Sequence, residues 1–269
     1  MGIVSGHMTR LAVLGGGKMG AALVSGLLAS GWAKAEEILV VEPVAGRREE
    51  LATMHPGLGL AAEVGEAEGA VVAVKPADVE AACAALAGAG IGRVLSIAAG
   101  VTLARLESWL GEGTAVIRAM PNTPALVGCG AAAIAAGSVA TDDDLGWAEE
   151  ILSAVGKVER VPEKLLDAVT GLSGSGPAYV FLVAEALIEA GVASGLPRTV
   201  SETLTIQTLL GSARLLAESG ERPEALRAAV TSPGGTTAAG LAALESRAVR
   251  AAFMEAVTAA TERSKALGG

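Results

Sequence analysis

Aromatic side chains are almost missing from this 269-residue chain: Phe, Tyr and Trp together make up 2% of it. Its core must be built from Ala, Val, Leu and Ile, and so much Ala and Gly favours closely approaching helices and tight turns. There are two cysteines, Cys83 and Cys129, without metal-ligand spacing, so free thiols are expected rather than a bridge. The two histidines, His7 and His55, stand far from every motif below, which argues against a His-based metal site or a Ser-His-Asp triad; no metal is expected. Cations are outnumbered, 20 Lys and Arg against 29 Asp and Glu, for a net charge of −9. That disfavours nucleic acid as a partner, because phosphate binding needs an excess of Lys and Arg. No apolar run reaches the roughly 18 residues of a membrane span, and no basic amphipathic stretch marks a membrane surface. Met1–Thr9 lacks the basic start and apolar run of a signal peptide, so a cytoplasmic location is expected. Ser5-Gly6-His7-Met8 reads as an extension outside the fold.

What is there is ample apolar material. Residues of apolar type make up 51% of the chain and charged ones 18%, enough to bury a sizeable core in two modest domains or one large one. The first half alternates strands and helices. Arg10–Leu14 is a short apolar strand that runs into Gly15-Gly16-Gly17-Lys18-Met19-Gly20, and Ala21–Ser30 has helical character. Ile38–Val41 is a second strand, followed by Glu42. Strand, Gly-x-Gly-x-x-Gly, helix, strand, acid is the order of a dinucleotide-binding unit. In it Gly15 allows the tight turn, Gly17 lets a pyrophosphate approach the backbone, and Gly20 lets the helix pack on the strand. Glu42, 22 residues after Gly20, is placed to accept hydrogen bonds from ribose hydroxyls, which favours NAD over NADP. Arg47 and Arg48 blunt that inference, since either could pair with a phosphate or lie on the solvated start of the next helix.

The pattern continues with strands at Ala70–Val74, Arg93–Ala98, Ala115–Ala119 and Ala131–Ala136, and an edge strand at Lys157–Val161. Helices fall at Asp78–Ala87, at Thr102–Leu110 with Thr102 as N-cap, and from the Thr141 cap to Ala154. Ligands of such sheets sit beyond the carboxyl ends of the strands. The strand ends Ala73-Val74-Lys75-Pro76, Ala98-Ala99-Gly100 and Met120-Pro121-Asn122-Thr123-Pro124 are therefore candidate cofactor contacts. Asn122, an amide between two prolines, is singled out.

Pro162 marks an expected boundary between a Rossmann-type α/β domain, 10–161, and an all-α domain, 162–269. In the second, Glu163–Val169 is a short helix, Thr170–Pro177 a break, 178–192 a long helix, and Pro197 opens another reaching Glu218. That helix is apolar on most faces (Leu204, Ile206, Leu209, Leu210, Leu215), which predicts packing against a second copy. Two helices flank Thr231-Ser232-Pro233-Gly234-Gly235-Thr236-Thr237, and 248–266 closes the chain. A glycine-rich, hydroxyl-rich turn opening a helix offers free N–H groups and a positive dipole end to an anion; it could equally be a plain connection with a Thr N-cap.

Gly171-x-x-Gly174-x-Gly176 resembles the motif of the β-hydroxyacid dehydrogenases, where a Lys and an Asn follow on the next helix. Here Val180 and Ala184 stand in those places, which argues against lysine-dependent alcohol oxidation. A cyclic imine needs no such base, because its nitrogen can carry a proton before hydride arrives; positioning dominates. The segments 118–125, 170–179 and 231–237, with Ala73–Pro76 and Ser96–Gly100, resemble pyrroline-5-carboxylate reductase from Arg10 to the C-terminus. The resemblance implies reduction of 1-pyrroline-5-carboxylate to L-proline with NAD(P)H, the last step of proline synthesis. It implies a Rossmann domain, a helical dimerisation domain with interlocked subunits, a homodimer and often a ring of dimers. Substrate contacts then fall on Glu163, Ser232, Gly235, Thr236 and Thr237; Thr237 is the catalytic candidate, and Tyr179 and Thr237 are the nearest candidates for a general acid. Cofactor contacts fall on Gly15–Gly20, Glu42, Ala73–Pro76 and Ala98–Gly100, with Met120 and Asn122 lining the nicotinamide pocket. Glu42-Pro43 departs from the small polar residue or Asn-Arg common there, so the cofactor is NADP(H) or NAD(H). Reduction of another cyclic imino acid, or a non-catalytic NAD(P)-sensing module, remain alternatives.

Overall fold

The computed structural model describes residues 9–268; the Ser5–Met8 extension lies outside them. In chain order the first unit contains β1 (Leu11–Leu14), α1 (Lys18–Ala29), β2 (Ile38–Val41), α2 (Ala45–Met54), β3 (Gly59–Ala61), β4 (Ala70–Val72), α3 (Val79–Gly88), β5 (Arg93–Ser96), α4 (Leu103–Leu110), β6 (Ala115–Met120), β7 (Gly130–Ala136), α5 (Asp142–Ser153) and β8 (Gly156–Arg160). They form one eight-stranded sheet in the order β3-β2-β1-β4-β5-β6-β7-β8. The strands β1 to β6 are parallel, and their fully apolar runs, such as the wholly buried Leu11–Leu14 and Ala70–Val72, suit strands covered on both faces by helices. One apolar layer gathers Leu23, Leu27, Leu51, Ile117, Ile134 and Leu152, the other Val79, Leu86, Val94, Leu106 and Leu110.

Register places the strand ends in one row. Leu14 pairs with Val41 and Val72, and Val72 pairs with Ser96. Gly15, Glu42, Ala73 and Ile97 therefore all emerge one residue beyond the same row. Two strands end earlier than their apolar runs predict, β4 at Val72 rather than Val74 and β5 at Ser96 rather than Ala98; the last cross-strand bonds, Ala73 N–H to the Leu14 carbonyl and Ile97 N–H to the Val72 carbonyl, lie just past these ends. The three-residue β3 is missed by the periodicity; it is too short to show one. β7 runs antiparallel to β6. The connection between them, 121–129, holds only a 3₁₀ stretch at Thr123–Val127, too short for the dozen residues a parallel crossover needs.

The chain's contacts divide it at Ser175/Gly176, and Ala259 onward returns to the first unit. The expected division at Pro162 does not coincide with this. Leu166, on the one-turn helix α6 (Leu166–Val169), is 1% exposed in the first unit's core, and Ser264 near the chain's end donates to Asp167 at 2.7 Å. The expected break at Thr170–Pro177 is also different: Thr170–Gly174 is a π-turn and Gly176 already opens the next helix.

The second unit, Gly176–Thr258, holds α7 (Gly176–Ala193), α8 (Arg198–Glu218), α9 (Pro223–Ala229), α10 (Thr236–Ser246) and the start of α11 (Val249–Gly268). α7 and α8 form a hairpin in which Ser201 Oγ donates to the Ile188 carbonyl at 2.8 Å and a Cβ on Gly191 would overlap that hydroxyl. Only Ser201 and Thr205 are buried here. Phe181, Leu182, Leu204, Ile206 and Leu210 are all more than half exposed. The helical run Glu163–Ala193 is also long and apolar enough, by length and composition, to cross a membrane.

Candidate active site

The glycine loop owes its shape to close approach. Gly15 has φ +105°, and a Cβ there would press on the Ala73 carbonyl oxygen at 2.7 Å; a Cβ on Gly20 would overlap the Gly15 carbonyl. Gly17 differs: nothing lies within 4 Å of a Cβ built on it. It is the N-cap of α1, with no side-chain cap, and Lys18, Met19 and Gly20 are the helix's first residues. Their N–H groups belong to the first turn, which has no backbone acceptors of its own. Open space in front of an uncapped helix N-terminus is what a diphosphate requires.

Glu42 sits beside this loop. Its Oε2 accepts from Gly16 N–H at 3.0 Å and its Oε1 from Val44 N–H at 3.0 Å. Arg47 Nε donates to the Gly16 carbonyl at 2.6 Å, and Arg48 donates to the carbonyls of Glu42 and Pro43 at 2.6 and 2.9 Å. Both arginines thus brace backbone, a role the sequence did not reveal. An apolar cavity of about 480 Å³, lined by Leu14, Val41, Pro43, Val64 and Val74, opens next to Glu42. A second cavity of about 410 Å³ lies past Pro76, Ala99 and Gly100. The first unit therefore brings together Gly15–Gly20, Glu42, Ala73–Pro76 and Ala98–Gly100 along one sheet edge. Lys75 is exposed at the end of this edge, before the 3₁₀ turn Pro76–Asp78.

Three of the expected site residues also brace the fold. Asn122 donates from Nδ2 to the Ser173 carbonyl at 3.1 Å and accepts from Ala131 N–H at 2.8 Å, tying the β6 exit to both the π-turn and β7. Met120 packs its methyl against Gly174, where a Cβ would stand 2.6 Å away. Glu163 Oε1 accepts from Arg118 at 2.8 Å and from Leu103 N–H at 2.7 Å. Arg118 is 8% exposed; a buried cation on a central strand demands such a partner, and that was the available signal for the pair.

In the second unit the turn before α10 carries Ser232, Gly235, Thr236 and Thr237. Gly234 takes φ +72°, and a Cβ on Gly235 would overlap the Ser232 hydroxyl. The N-cap of α10 is Gly235, without a side-chain cap. Thr231 does not cap it either: its hydroxyl donates back to Arg227 at the end of α9. The Thr236, Thr237 and Ala238 N–H groups precede the first α10 bond, Ala239 N–H to the Gly235 carbonyl. The turn thus concentrates donors and three hydroxyls, with Ser232, Thr236 and Thr237 exposed.

A parallel sheet in the order 3-2-1-4-5-6, with a glycine loop and an acid at the end of β2, defines an NAD(P)-dependent oxidoreductase. Residues 10–100 match the family described as NADP oxidoreductase, coenzyme F420-dependent, and residues 163–267 match pyrroline-5-carboxylate reductase dimerisation. A pyrroline-5-carboxylate reductase of Synechocystis is 48% identical over 96% of this chain and 98% of its own. The solved structure of a pyrroline-5-carboxylate reductase from Coxiella burnetii matches with TM-score 0.92 at 37% identity, over 98% of this chain and 100% of that one. The Plasmodium falciparum pyrroline carboxylate reductase, solved with NADP bound, matches with TM-score 0.84 at 31% identity, over 98% of this chain and 100% of that one. The chain belongs to the pyrroline-5-carboxylate reductase family.

Proposed function

We propose that this enzyme reduces 1-pyrroline-5-carboxylate to L-proline, the last step of proline synthesis, and that the α10 turn holds the substrate. The observation that carries the substrate site is the uncapped N-terminus of α10, with the Ser232, Thr236 and Thr237 hydroxyls beside three free N–H groups. Such donors suit a carboxylate. Gly235 keeps the turn tight enough for the backbone to reach it.

The dinucleotide is held by Gly15–Gly20, Glu42, Ala73–Pro76 and Ala98–Gly100, and Met120 borders the same strand ends. Bound there, the reduced nicotinamide supplies a hydride to the imine carbon. The chain's own residues bind and orient: the α10 N–H groups and hydroxyls fix the ring carboxylate. The Thr237 hydroxyl, on the first turn of α10, is the group assigned to hold a proton for the ring nitrogen, with Tyr179 the other candidate. No histidine or lysine base is needed, because an imine nitrogen carries its proton before hydride arrives.

The functional division is placed at Pro162, a dinucleotide domain at 10–161 and a substrate and dimerisation domain at 162–269, supported by the family match beginning at residue 163. The apolar faces of α7 and α8 have no cover within their own unit, so the enzyme is a homodimer through them. That also accounts for the apolar run Glu163–Ala193 without a membrane. The free thiols Cys83 and Cys129 suit a cytoplasmic enzyme. A monomer by light scattering at micromolar concentration counts against the dimer.

Proline-dependent reduction of NAD(P)⁺ at high pH tests the activity, and no turnover with either nucleotide overturns it. Thr237→Val tests the site: it should lower kcat/KM for the imine by about tenfold or more while nucleotide affinity holds, since it removes one hydroxyl and keeps the shape. Unchanged activity refutes the role of Thr237.

A further inference from the structure

We propose that the cavity of about 410 Å³ bordered by Pro76 and Gly100 is a further binding site, and that its ligand is an organic dianion, two negative charges carried on an apolar body. The cavity lies wholly within the first unit. Trp109 of α4 and Leu267 of α11 give it apolar walls, and two guanidiniums, Arg105 and Arg263, line it. Among the described residues no carboxylate lines it. Apolar walls with a few convergent polar groups, at roughly 300–1,000 Å³, are what small ligands occupy.

The chain has 29 acids against 20 Lys and Arg, so a surface arginine finds a carboxylate easily. Arg160, Arg198, Arg214 and Arg250 all do. Among the described residues neither Arg105 nor Arg263 forms an ion pair. The Arg105 guanidinium instead stands 5.0 Å from the centroid of the Trp109 ring, a contact that holds its position and leaves its charge uncancelled. Two like charges on the apolar walls of one cavity focus a positive field there, and a dianion answers both. A guanidinium pairs with phosphate and with carboxylate through parallel N–H bonds. Two hydroxyls of the wall are engaged elsewhere: Ser264 Oγ donates to Asp167 at 2.7 Å and Thr170 Oγ1 to the Leu166 carbonyl at 2.8 Å. Recognition therefore falls to the charges and the apolar walls.

The walls are held in place before any ligand arrives. Ser264 is 8% exposed, and its bond to Asp167 ties the end of α11 to α6. Leu103 N–H, at the start of α4, donates to Glu163 at 2.7 Å. The Leu267 carbonyl oxygen stands 3.7 Å from a Cβ built on Gly100, so the last turn of α11 meets the loop between β5 and α4. Such preorganisation lowers the cost of binding. Pro76, Ala99 and Gly100 also belong to the strip proposed for the dinucleotide, whose diphosphate is assigned to the Gly17 end of α1. The two sites share a loop but no anion-binding group, and both can be filled at once.

The test is calorimetric titration of the full chain at about pH 8, where a phosphate monoester carries two charges. Phenyl phosphate and phthalate are the probes, each added to the protein alone and then to the protein saturated with NADP⁺. At least one should bind with a Kd below about 1 mM; the tighter of the two tells a phosphate ester from a dicarboxylate. Inorganic phosphate should bind at least about tenfold more weakly than phenyl phosphate, because it lacks the apolar body. Arg105→Ala and Arg263→Ala should each weaken the better probe by about tenfold, since each removes a charge-assisted pairing. Both side chains are exposed, and an unchanged melting temperature confirms that the variants fold. Binding of neither probe overturns the site. Loss of binding at saturating NADP⁺ overturns it too, by making the cavity part of the dinucleotide site. Unchanged affinity in both variants places the probe elsewhere, and inorganic phosphate binding as tightly as phenyl phosphate overturns the apolar body. The titrations without nucleotide stand even if the dinucleotide reading fails, and those on the unaltered protein stand even if a variant folds poorly.

Discussion

Arg118 and Glu163 form an ion pair of 2.8 Å that joins the central strand β6 to the segment after β8. The same carboxylate oxygen accepts from Leu103 N–H at the start of α4, so one side chain ties down a strand, a helix and the approach to the π-turn. Glu163→Ala leaves Arg118 largely buried without a counter-charge. Breaking such a pair costs about 3 kcal/mol when both ends are buried; with the Glu163 side chain 32% exposed, about 2 kcal/mol is expected. Urea denaturation measures it. Arg118→Met with Glu163→Leu should recover most of the loss, because the double replacement leaves no stranded charge. Equal stability of Glu163→Ala and the unaltered protein would show that the pair contributes nothing.

Gly17 and Gly20 should answer differently to the same substitution. At Gly20 a methyl group overlaps the Gly15 carbonyl, while at Gly17 it meets open space. Gly20→Ala is expected to lower the melting temperature of the cofactor-free protein, because backbone must shift to admit it. Gly17→Ala should leave that temperature within about a degree, since surface changes without strain are nearly neutral. It should nonetheless weaken both nucleotides by about tenfold, because its methyl occupies the space a diphosphate needs. A Gly17→Ala protein with ordinary nucleotide affinity would place the diphosphate elsewhere.

The dinucleotide domain was legible because each part leaves a local mark: a buried apolar run, a glycine loop at fixed spacing, an acid after β2, and caps at Thr102 and Thr141 that the structure keeps. Less legible were features set by geometry across the sheet. The direction of β7 depends on the length of 121–129, not on its residues' pattern. The bracing of Asn122 depends on Ser173, 51 residues away, and no spacing rule connects them. Arg47 and Arg48 looked like solvated or phosphate-binding side chains because a sequence does not show that their reach ends on main-chain carbonyls. In the second unit the apolar α8 pointed to a partner surface, and its side chains are indeed uncovered within the chain.

Thr141 and Asp144 cap α5 reciprocally, which links stability to pH. The Thr141 hydroxyl donates to Asp144 Oδ2 at 2.7 Å and accepts from Asp144 N–H at 3.3 Å. Burial works to raise the Asp144 pKa, but the Thr141 hydroxyl, the Thr141 N–H and the Arg93 charge outweigh it and hold the carboxyl below its ordinary value. A carboxyl lowered on folding stabilises the native state above its unfolded pKa, and the gain is lost as pH falls through the folded one. Thr141→Ala should cost about 1 kcal/mol at pH 7. The difference from the unaltered protein should shrink as pH falls through the lowered folded pKa of Asp144. Urea titrations over a series of falling pH values check this, and a difference independent of pH would mean that the cap does not depend on the Asp144 charge.

Asn122 offers a way to separate positioning from contact. Its amide donates to the Ser173 carbonyl on the π-turn and accepts from Ala131 N–H on β7. π-turns inserted in helical segments are often found at functional sites, and this one ends next to Met120 through Gly174. Asn122→Asp keeps the acceptor for Ala131 and replaces the donor to Ser173 with a carboxylate oxygen facing a carbonyl oxygen. The π-turn then loses its tie to β6. Stability should fall by about 1–3 kcal/mol, the cost of an unmet buried acceptor facing a charge. If Asn122 acts by holding the π-turn, Asn122→Asp should lower kcat while nucleotide Kd stays within about twofold, since a misplaced reacting group slows chemistry without weakening remote binding. Asn122→Gln, which retains both hydrogen-bonding groups on a longer arm, should recover part of kcat. A large loss of nucleotide affinity in Asn122→Asp, with kcat preserved, would instead make Asn122 a direct contact to the nicotinamide.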